Sequence, residues 1–189
     1  MAEALRVGIA GLGTVGASVV RVLAAKAAEM TRQCGREIAV TAVSARDRKR
    51  DRGIELGNAQ WFDDPVELAR SGEIDVFVEL IGGSDGPSRA AVRAALDAGR
   101  HVVTANKALL SKHGVALAEV AEKHGVLLNY EAAVAGGIPV IKTMREALAG
   151  NSATRVFGIL NGTCNYILTR MEAEGLSFDE CLKDAQRLG

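Results

Sequence analysis

The chain has 189 residues and a mass of 19.8 kDa, enough for one α/β domain of ordinary size and the beginning of a second. Its 23 Lys+Arg balance 23 Asp+Glu, which points to neither a nucleic-acid-binding surface nor an acidic interaction tail. Apolar residues make up 48% and aromatics 4%, with 21 Gly against 3 Pro; this excludes a disordered chain and favours an Ala/Val/Leu-built α/β protein over a β-sandwich.

Along the first 130 residues the hydrophobic period switches repeatedly between two and about 3.6, the mark of successive strand–helix units feeding a parallel sheet. Strands are expected at residues 6–10, 38–43, 76–80, 102–104 and 126–130, and helices at 15–30, 65–70, 88–98 and 115–123. In the first helix Val15, Val19, Val22 and Leu23 form a stripe that can pack on the sheet, leaving Arg21 and Lys26 to solvent. Right-handed crossovers then produce a doubly wound, Rossmann-like sheet, placed over residues 1–135.

Beyond Tyr130 the alternation stops. Residues 131–139 are small and contain Gly136-Gly137-Ile138-Pro139, an expected turn or irregular crossing where carbonyls can face inward. A helix is expected at 141–148, a strand at 155–160 and a further helix from about Cys164. Ser177-Phe178-Asp179-Glu180 reads as a capping box with Leu176 and Cys181 as its hydrophobic staple. The helix it opens carries Phe178, Cys181, Leu182, Ala185 and Leu188 and therefore needs a partner surface. Residues 136–189 are thus expected to begin a second, α+β domain that is incomplete.

Cys34, Cys164 and Cys181 define neither a disulfide framework nor a zinc site. Each is expected to be a small buried hydrophobe, and a reducing cytoplasm fits their number and spacing. No stretch reaches the roughly 18 apolar residues of a membrane helix, and no signal core is seen at the N-terminus.

Gly11-Leu12-Gly13-Thr14-Val15-Gly16 follows the first strand and opens the first helix, the context in which a glycine fingerprint binds a dinucleotide. Gly11 permits the tight turn, Gly13 removes a side chain that would block a diphosphate, and Gly16 lets helix and strand approach. The helix N-terminus supplies unpaired N–H donors to phosphate. The acid expected about 20 residues further on, for the ribose hydroxyls of NAD, is not there. The first strong side chain past the second strand is Arg46, followed by Arg48, Lys49 and Arg50. A guanidinium in that place can hold a 2′-phosphate, which favours NADP(H), while Asp47 keeps NAD(H) use open. The other reading of this charged run is a solvated loop.

With the glycine loop, three segments resemble homoserine dehydrogenase: Glu79-Leu80-Ile81-Gly82-Gly83, Thr104-Ala105-Asn106-Lys107-Ala108-Leu109-Leu110-Ser111, and Gly158-Ile159-Leu160-Asn161-Gly162-Thr163-Cys164-Asn165-Tyr166-Ile167-Leu168. The likeness covers the whole chain in order, with Cys164 standing where the family more often has Thr. It implies NAD(P)-dependent interconversion of L-aspartate 4-semialdehyde and L-homoserine, on the route to threonine, isoleucine and methionine. It also implies a homodimer, a small-molecule substrate, and no nucleic-acid or membrane partner.

By the same resemblance, Gly82, Thr104 and Lys107 contact the cofactor. Lys107 is the catalytic candidate, just past the fourth strand, where ligands of doubly wound sheets collect; the alternative is an exposed lysine at a helix start. The segment matching Glu131, Val134, Gly136 and Ile138 binds a monovalent cation, usually sodium, through main-chain oxygens in similar proteins, the alternative here being an interdomain hinge. Asn161, Gly162 and Thr163 either meet the substrate or serve as a turn and N-cap. Residues 136–189 then begin the substrate and dimerisation domain.

Family members continue past the position of Gly189, which resembles a cofactor-contacting glycine, into a signature with a substrate-binding Glu and Asp and a proton-donating Lys. These 189 residues are therefore expected to bind NADP(H) and to reduce the aldehyde feebly or not at all. The competing readings are another two-domain Rossmann dehydrogenase, a non-catalytic dinucleotide-binding module, and a dimerisation fragment.

Overall fold

The computed structural model describes residues 2–158 and 161–188, and its contacts divide the chain into two units, Met1–Ile141 and Lys142–Gly189. Strand β1 (Leu5–Ala10) lies inside a sheet because its side chains serve two apolar layers: Val7 and Ile9 enter one, Ala10 the other. The chain continues through α1 (Thr14–Ala25), α2 (Ala27–Cys34), β2 (Ile38–Ser44) and the short edge strand β3 (Gln60–Phe62). Helix α3 (Pro65–Arg70) leads to β4 (Val76–Glu79), α4 (Pro87–Asp97), β5 (His101–Thr104), α5 (Lys107–Lys123) and β6 (Leu128–Asn129).

Every pairing is parallel, in the order β3-β2-β1-β4-β5-β6. This is the doubly wound, Rossmann-like order, and it reverses at β1, so the carboxyl ends of β1 and β4 open onto a crevice where such sheets bind ligands. One face is packed by α3, α4 and α5 around Phe77, Leu68, Val102 and Leu109. On the other, Leu12 and Val20 cover Val7, Ile9 and Val43.

Differences from the sequence reading have local causes. The helix expected over 15–30 is interrupted at Lys26 (φ −109°, ψ 15°), which caps α1 and precedes α2. The buried residues of α1 are Gly16, Ala17 and Val20; of the expected stripe Val19 packs beside them and Leu23 is half-buried, while Val15 is 57% and Val22 47% exposed. That is a rotation of about a third of a turn from the expected stripe, because Gly16 must approach the strand. Helix α5 starts eight residues before the expected 115, since Asn106 caps it and Gly114 lies inside it rather than at its start. Strand β3 is too short to carry a period. Cys34 and Cys164 are exposed, and only Cys181 is buried among the described residues; Cys34 ends a helix that buries nothing, and Cys164 sits in a first helical turn.

After β6 come α6 (Glu131–Val134), α7 (Val140–Lys142) and a π-helical turn, Thr143–Ala147. In the second unit, residues 155–158 have no regular structure where a strand was expected, and 159–160 lie outside the described residues. There α8 (Gly162–Glu174) packs on α9 (Phe178–Leu188), burying Ile167 and Cys181. Arg170 joins the pair, donating to Asp184 at 2.5 Å and to Glu174 at 2.6 Å. The capping box forms: Ser177 N donates to Glu180 Oε2 at 2.9 Å, and Glu180 N returns to Ser177 Oγ at 3.4 Å. No described helix is long and apolar enough to cross a membrane.

Phe77 is fully buried among the sheet-packing residues of α3 to α5. Phe77→Ala is expected to lower the unfolding free energy by about 3–5 kcal/mol, read from urea denaturation; a loss below about 1 kcal/mol would show that this layer is not the principal core.

Candidate functional site

The turn after β1 is built by contacts that exclude side chains. Gly11 has φ 99°, and a Cβ on it would stand 2.3 Å from the Leu80 carbonyl oxygen. A Cβ on Gly16 would stand 1.9 Å from the Gly11 carbonyl oxygen, so helix and turn touch backbone to backbone. The turn is anchored on both sides: Gly11 N donates to Ser44 O at 2.8 Å, and Leu80 N to Ala10 O at 2.7 Å. A Cβ on Gly13 would meet nothing within 4 Å. Helix α1 starts there with no side-chain cap and no acid in its first turn. Thr14, Val15 and their neighbours thus offer uncapped N–H groups, at the positive end of the helix dipole, to open space.

Beside this turn is a cleft of about 370 Å³, lined by Gly11, Gly13, Ser44, Arg46, Arg50 and Ile81 among others. Arg46 and Arg50 are exposed and form no ion pair among the described residues. The acids beside them bond to backbone: Asp47 Oδ1, between the two arginines, accepts from Lys49 N at 2.9 Å, and Asp51 Oδ1, just after Arg50, from Gly53 N at 2.8 Å. The cleft wall beyond β2 is therefore cationic.

The other half of the crevice is organised by Glu79, fully buried at the end of β4. Its Oε1 accepts from Ile81 N at 2.8 Å and Gly82 N at 3.0 Å, and its Oε2 accepts from Thr104 Oγ1 at 2.5 Å. Thr104 Oγ1 in turn accepts from Asn106 N at 3.0 Å. Asn106 Nδ2 donates to Gly83 O at 2.7 Å, while its Oδ1 accepts from Leu109 N at 3.0 Å as the N-cap of α5. One connected set of bonds therefore fixes the Gly82-Gly83 turn and the start of α5. Lys107 is the first residue of that helix, with an exposed side chain. Further along the turn, Asp85 accepts from Lys112 Nζ at 2.5 Å and meets His113 Nε2 at 2.9 Å. Hydrogen bonds from Lys112, then His113 and Ser84, hold its carboxyl well below the usual carboxylate range.

The glycine loop, Arg46, Gly82, Thr104 and Lys107 all lie at the carboxyl ends of strands in one sheet. The Thr104 hydroxyl is buried and committed to Glu79 and Asn106, so its side chain acts inside the protein. Glu131 begins α6, its Oε1 accepting from Ile141 N at 2.8 Å, and its carbonyl accepts from Ala135 N at 3.0 Å. The Ile138 carbonyl accepts from Val140 N at 2.8 Å. These two carbonyls and those of Val134 and Gly136 are oxygen donors of the type a hard cation takes. Among the described residues no cluster of three or more His, Cys, Asp or Glu is placed to hold a metal.

Asn161 caps α8, its Oδ1 accepting from Cys164 N at 2.8 Å; Gly162 and Thr163 follow, exposed, in the second unit. Gly189 lies outside the described residues. Roles that the sequence reading did not assign are those of Glu79, Asn106 and Ser88, whose hydroxyl donates to Gly83 O at 2.9 Å. The visible signal was an acid closing the apolar run Val76-Phe77-Val78. Glu79→Gln replaces an acceptor by an NH2 facing donors, and is expected to cost about 2 kcal/mol in thermal or chemical unfolding. An unchanged midpoint would mean the carboxylate is not the anchor of the turn.

Comparison with known proteins bears on this site. A family model described as the NAD binding domain of homoserine dehydrogenase matches residues 11–131, and one described as homoserine dehydrogenase matches residues 139–189. Homoserine dehydrogenase of Neisseria gonorrhoeae is 44% identical over 185 residues, covering 98% of this chain and 42% of that protein. That of Pseudomonas aeruginosa is 46% identical over 187 residues, with the same shares. The crystal structure of a homoserine dehydrogenase from Thiobacillus denitrificans superposes with a TM-score of 0.84 at 44% identity, covering 99% of this chain and 43% of that one. The chain thus spans about 42% of the length of these curated relatives. On the match of its dinucleotide-binding region and the continuation of the likeness through its second unit, this chain belongs to the homoserine dehydrogenase family.

Proposed function

We propose that the chain binds a nicotinamide dinucleotide, NADP(H) in preference to NAD(H), for the interconversion of L-aspartate 4-semialdehyde and L-homoserine in amino-acid biosynthesis. The observation that carries this reading is the uncapped start of α1 at Gly13, open to solvent beside a cleft lined by Arg46 and Arg50. The site fits the group: N–H donors for the diphosphate, space in place of a side chain, and guanidinium groups for a 2′-phosphate. Asp63, the acid lining the cleft, accepts from the Trp61 indole N–H at 3.0 Å, and Asp47 accepts from the Lys49 N–H in a turn outside the lining, which leaves Arg46 and Arg50 to favour the phosphorylated cofactor.

When bound, the cofactor supplies the hydride. The chain's own residues hold its ends. Leu12, Thr14 and Val15 flank the diphosphate position, and Gly82, in a turn at φ 87°, borders the crevice toward β5. The Lys107 ammonium, presented at the start of α5, offers positive charge at the edge where the aldehyde oxygen gains negative charge. Thr104 acts by fixing that edge through Glu79. We assign Asn161, Gly162 and Thr163 to substrate contact, with residues 136–189 as the start of the substrate and dimerisation domain. Val156 and Phe157, 62% and 88% exposed, supply apolar surface for a homodimer.

The main-chain oxygens of Glu131, Val134, Gly136 and Ile138 are assigned to a monovalent cation, Na+, and Gly189 to the cofactor. The proposed setting is the cytoplasm, which suits three free cysteines.

Arg46→Ala is expected to weaken NADPH binding roughly tenfold and NADH binding far less, measured by calorimetric titration; equal losses for both would remove the 2′-phosphate assignment. The reaction is tested by supplying reduced cofactor with L-aspartate 4-semialdehyde and identifying the product. L-homoserine, even at the feeble rate expected of these 189 residues, supports the assignment, and reduction of sugars in its place contradicts it.

A further inference from the structure

The five basic residues between β2 and β3 are not equivalent. Arg46 and Arg50 line the cleft, whereas Arg52 spends its donors on the backbone. Its Nε donates to Leu12 O at 3.0 Å, its Nη1 to Arg50 O at 2.7 Å and its Nη2 to Asp47 O at 2.5 Å. The guanidinium also lies over the Trp61 ring, 5.7 Å from its centroid, with Arg48 at 5.8 Å. Trp61 belongs to β3, and its indole N–H is fixed on Asp63 Oδ1 at 3.0 Å. A single planar fork therefore joins the glycine loop, both ends of the basic turn and the edge strand.

We propose that Arg52 is a positioning residue for cofactor selectivity: it locks residues 47–50 onto the Leu12 carbonyl, so that Arg46 and Arg50 face the cleft together. This rests on the reading of that cleft as the 2′-phosphate position. The physical need is plain. Two exposed guanidinium groups beside one another repel, and a free turn would separate them. Three backbone carbonyls converging on one delocalised cation oppose that separation. Lysine, a point charge without the planar fork, cannot make the same three bonds.

The test uses Arg52→Lys, Arg52→Gln and Arg46→Ala in the full 189-residue chain. Trp61 is the sole tryptophan, so its emission reports on this turn during titration with NADP+ and with NAD+. Arg52→Lys is expected to weaken NADP+ roughly tenfold and NAD+ no more than about twofold, lowering the selectivity ratio with the unfolding midpoint retained. Should Arg52→Gln fold poorly, Arg52→Lys alone decides. Equal losses for both cofactors, or none, overturn the positioning role if Arg46→Ala still lowers the ratio. If Arg46→Ala leaves the ratio unchanged, the 2′-phosphate reading itself fails and the proposal falls with it.

Discussion

The carbonyl oxygen of Gly11 lies 1.9 Å from where a Cβ on Gly16 would stand, and most of the crevice depends on that closeness. It sets the start of α1 directly against the end of β1, with Gly13 at the helix mouth facing open space. It also selects which side of α1 packs: Gly16, Ala17 and Val20 turn inward and Val15 and Val22 turn out. The uncapped N–H groups are then unsatisfied within the fold, a condition that a bound anion relieves.

Around this contact the crevice is held by two separate polar assemblies. On the β2 side the basic turn is organised by Asp47, Asp51 and Arg52 bonding to backbone. On the β4 side the buried Glu79 gathers Ile81, Gly82, Thr104 and, both directly and through Thr104, Asn106. A buried carboxylate is tolerable when its lone pairs are filled, and a filled network is rigid. Rigidity here places Lys107 at a fixed point on the sheet edge without any bond to its own side chain being required.

Much of the fold was legible because parallel strands buried on both faces read as short apolar runs separated by helical periods. β1, β2, β4 and β5 fall within a residue or so of expectation, α3 matches, and the capping box at Ser177 and Glu180 forms as its spacing implies. What escaped the sequence had physical reasons. Strand β3 is three residues long and owes its pairing to β2. Gly114 hid the first two turns of α5, which depend on the Asn106 cap and on burial of Leu109. In the crevice the tight glycine turn and the place of Arg46 beside it were readable, since both follow from neighbouring residues in the chain. The role of Glu79 was not, because its partners are supplied by a neighbouring strand and two turns that only the sheet order brings together.

The most direct test of the central claim, that the start of α1 receives the dinucleotide diphosphate, is residue-by-residue mapping of backbone amides by NMR as NADP+ is added. The amides of Gly13, Thr14 and Val15 are expected to shift most, accompanied by those of Arg46 to Arg50. Saturable binding that leaves these amides unmoved and perturbs only residues of the second unit would contradict it.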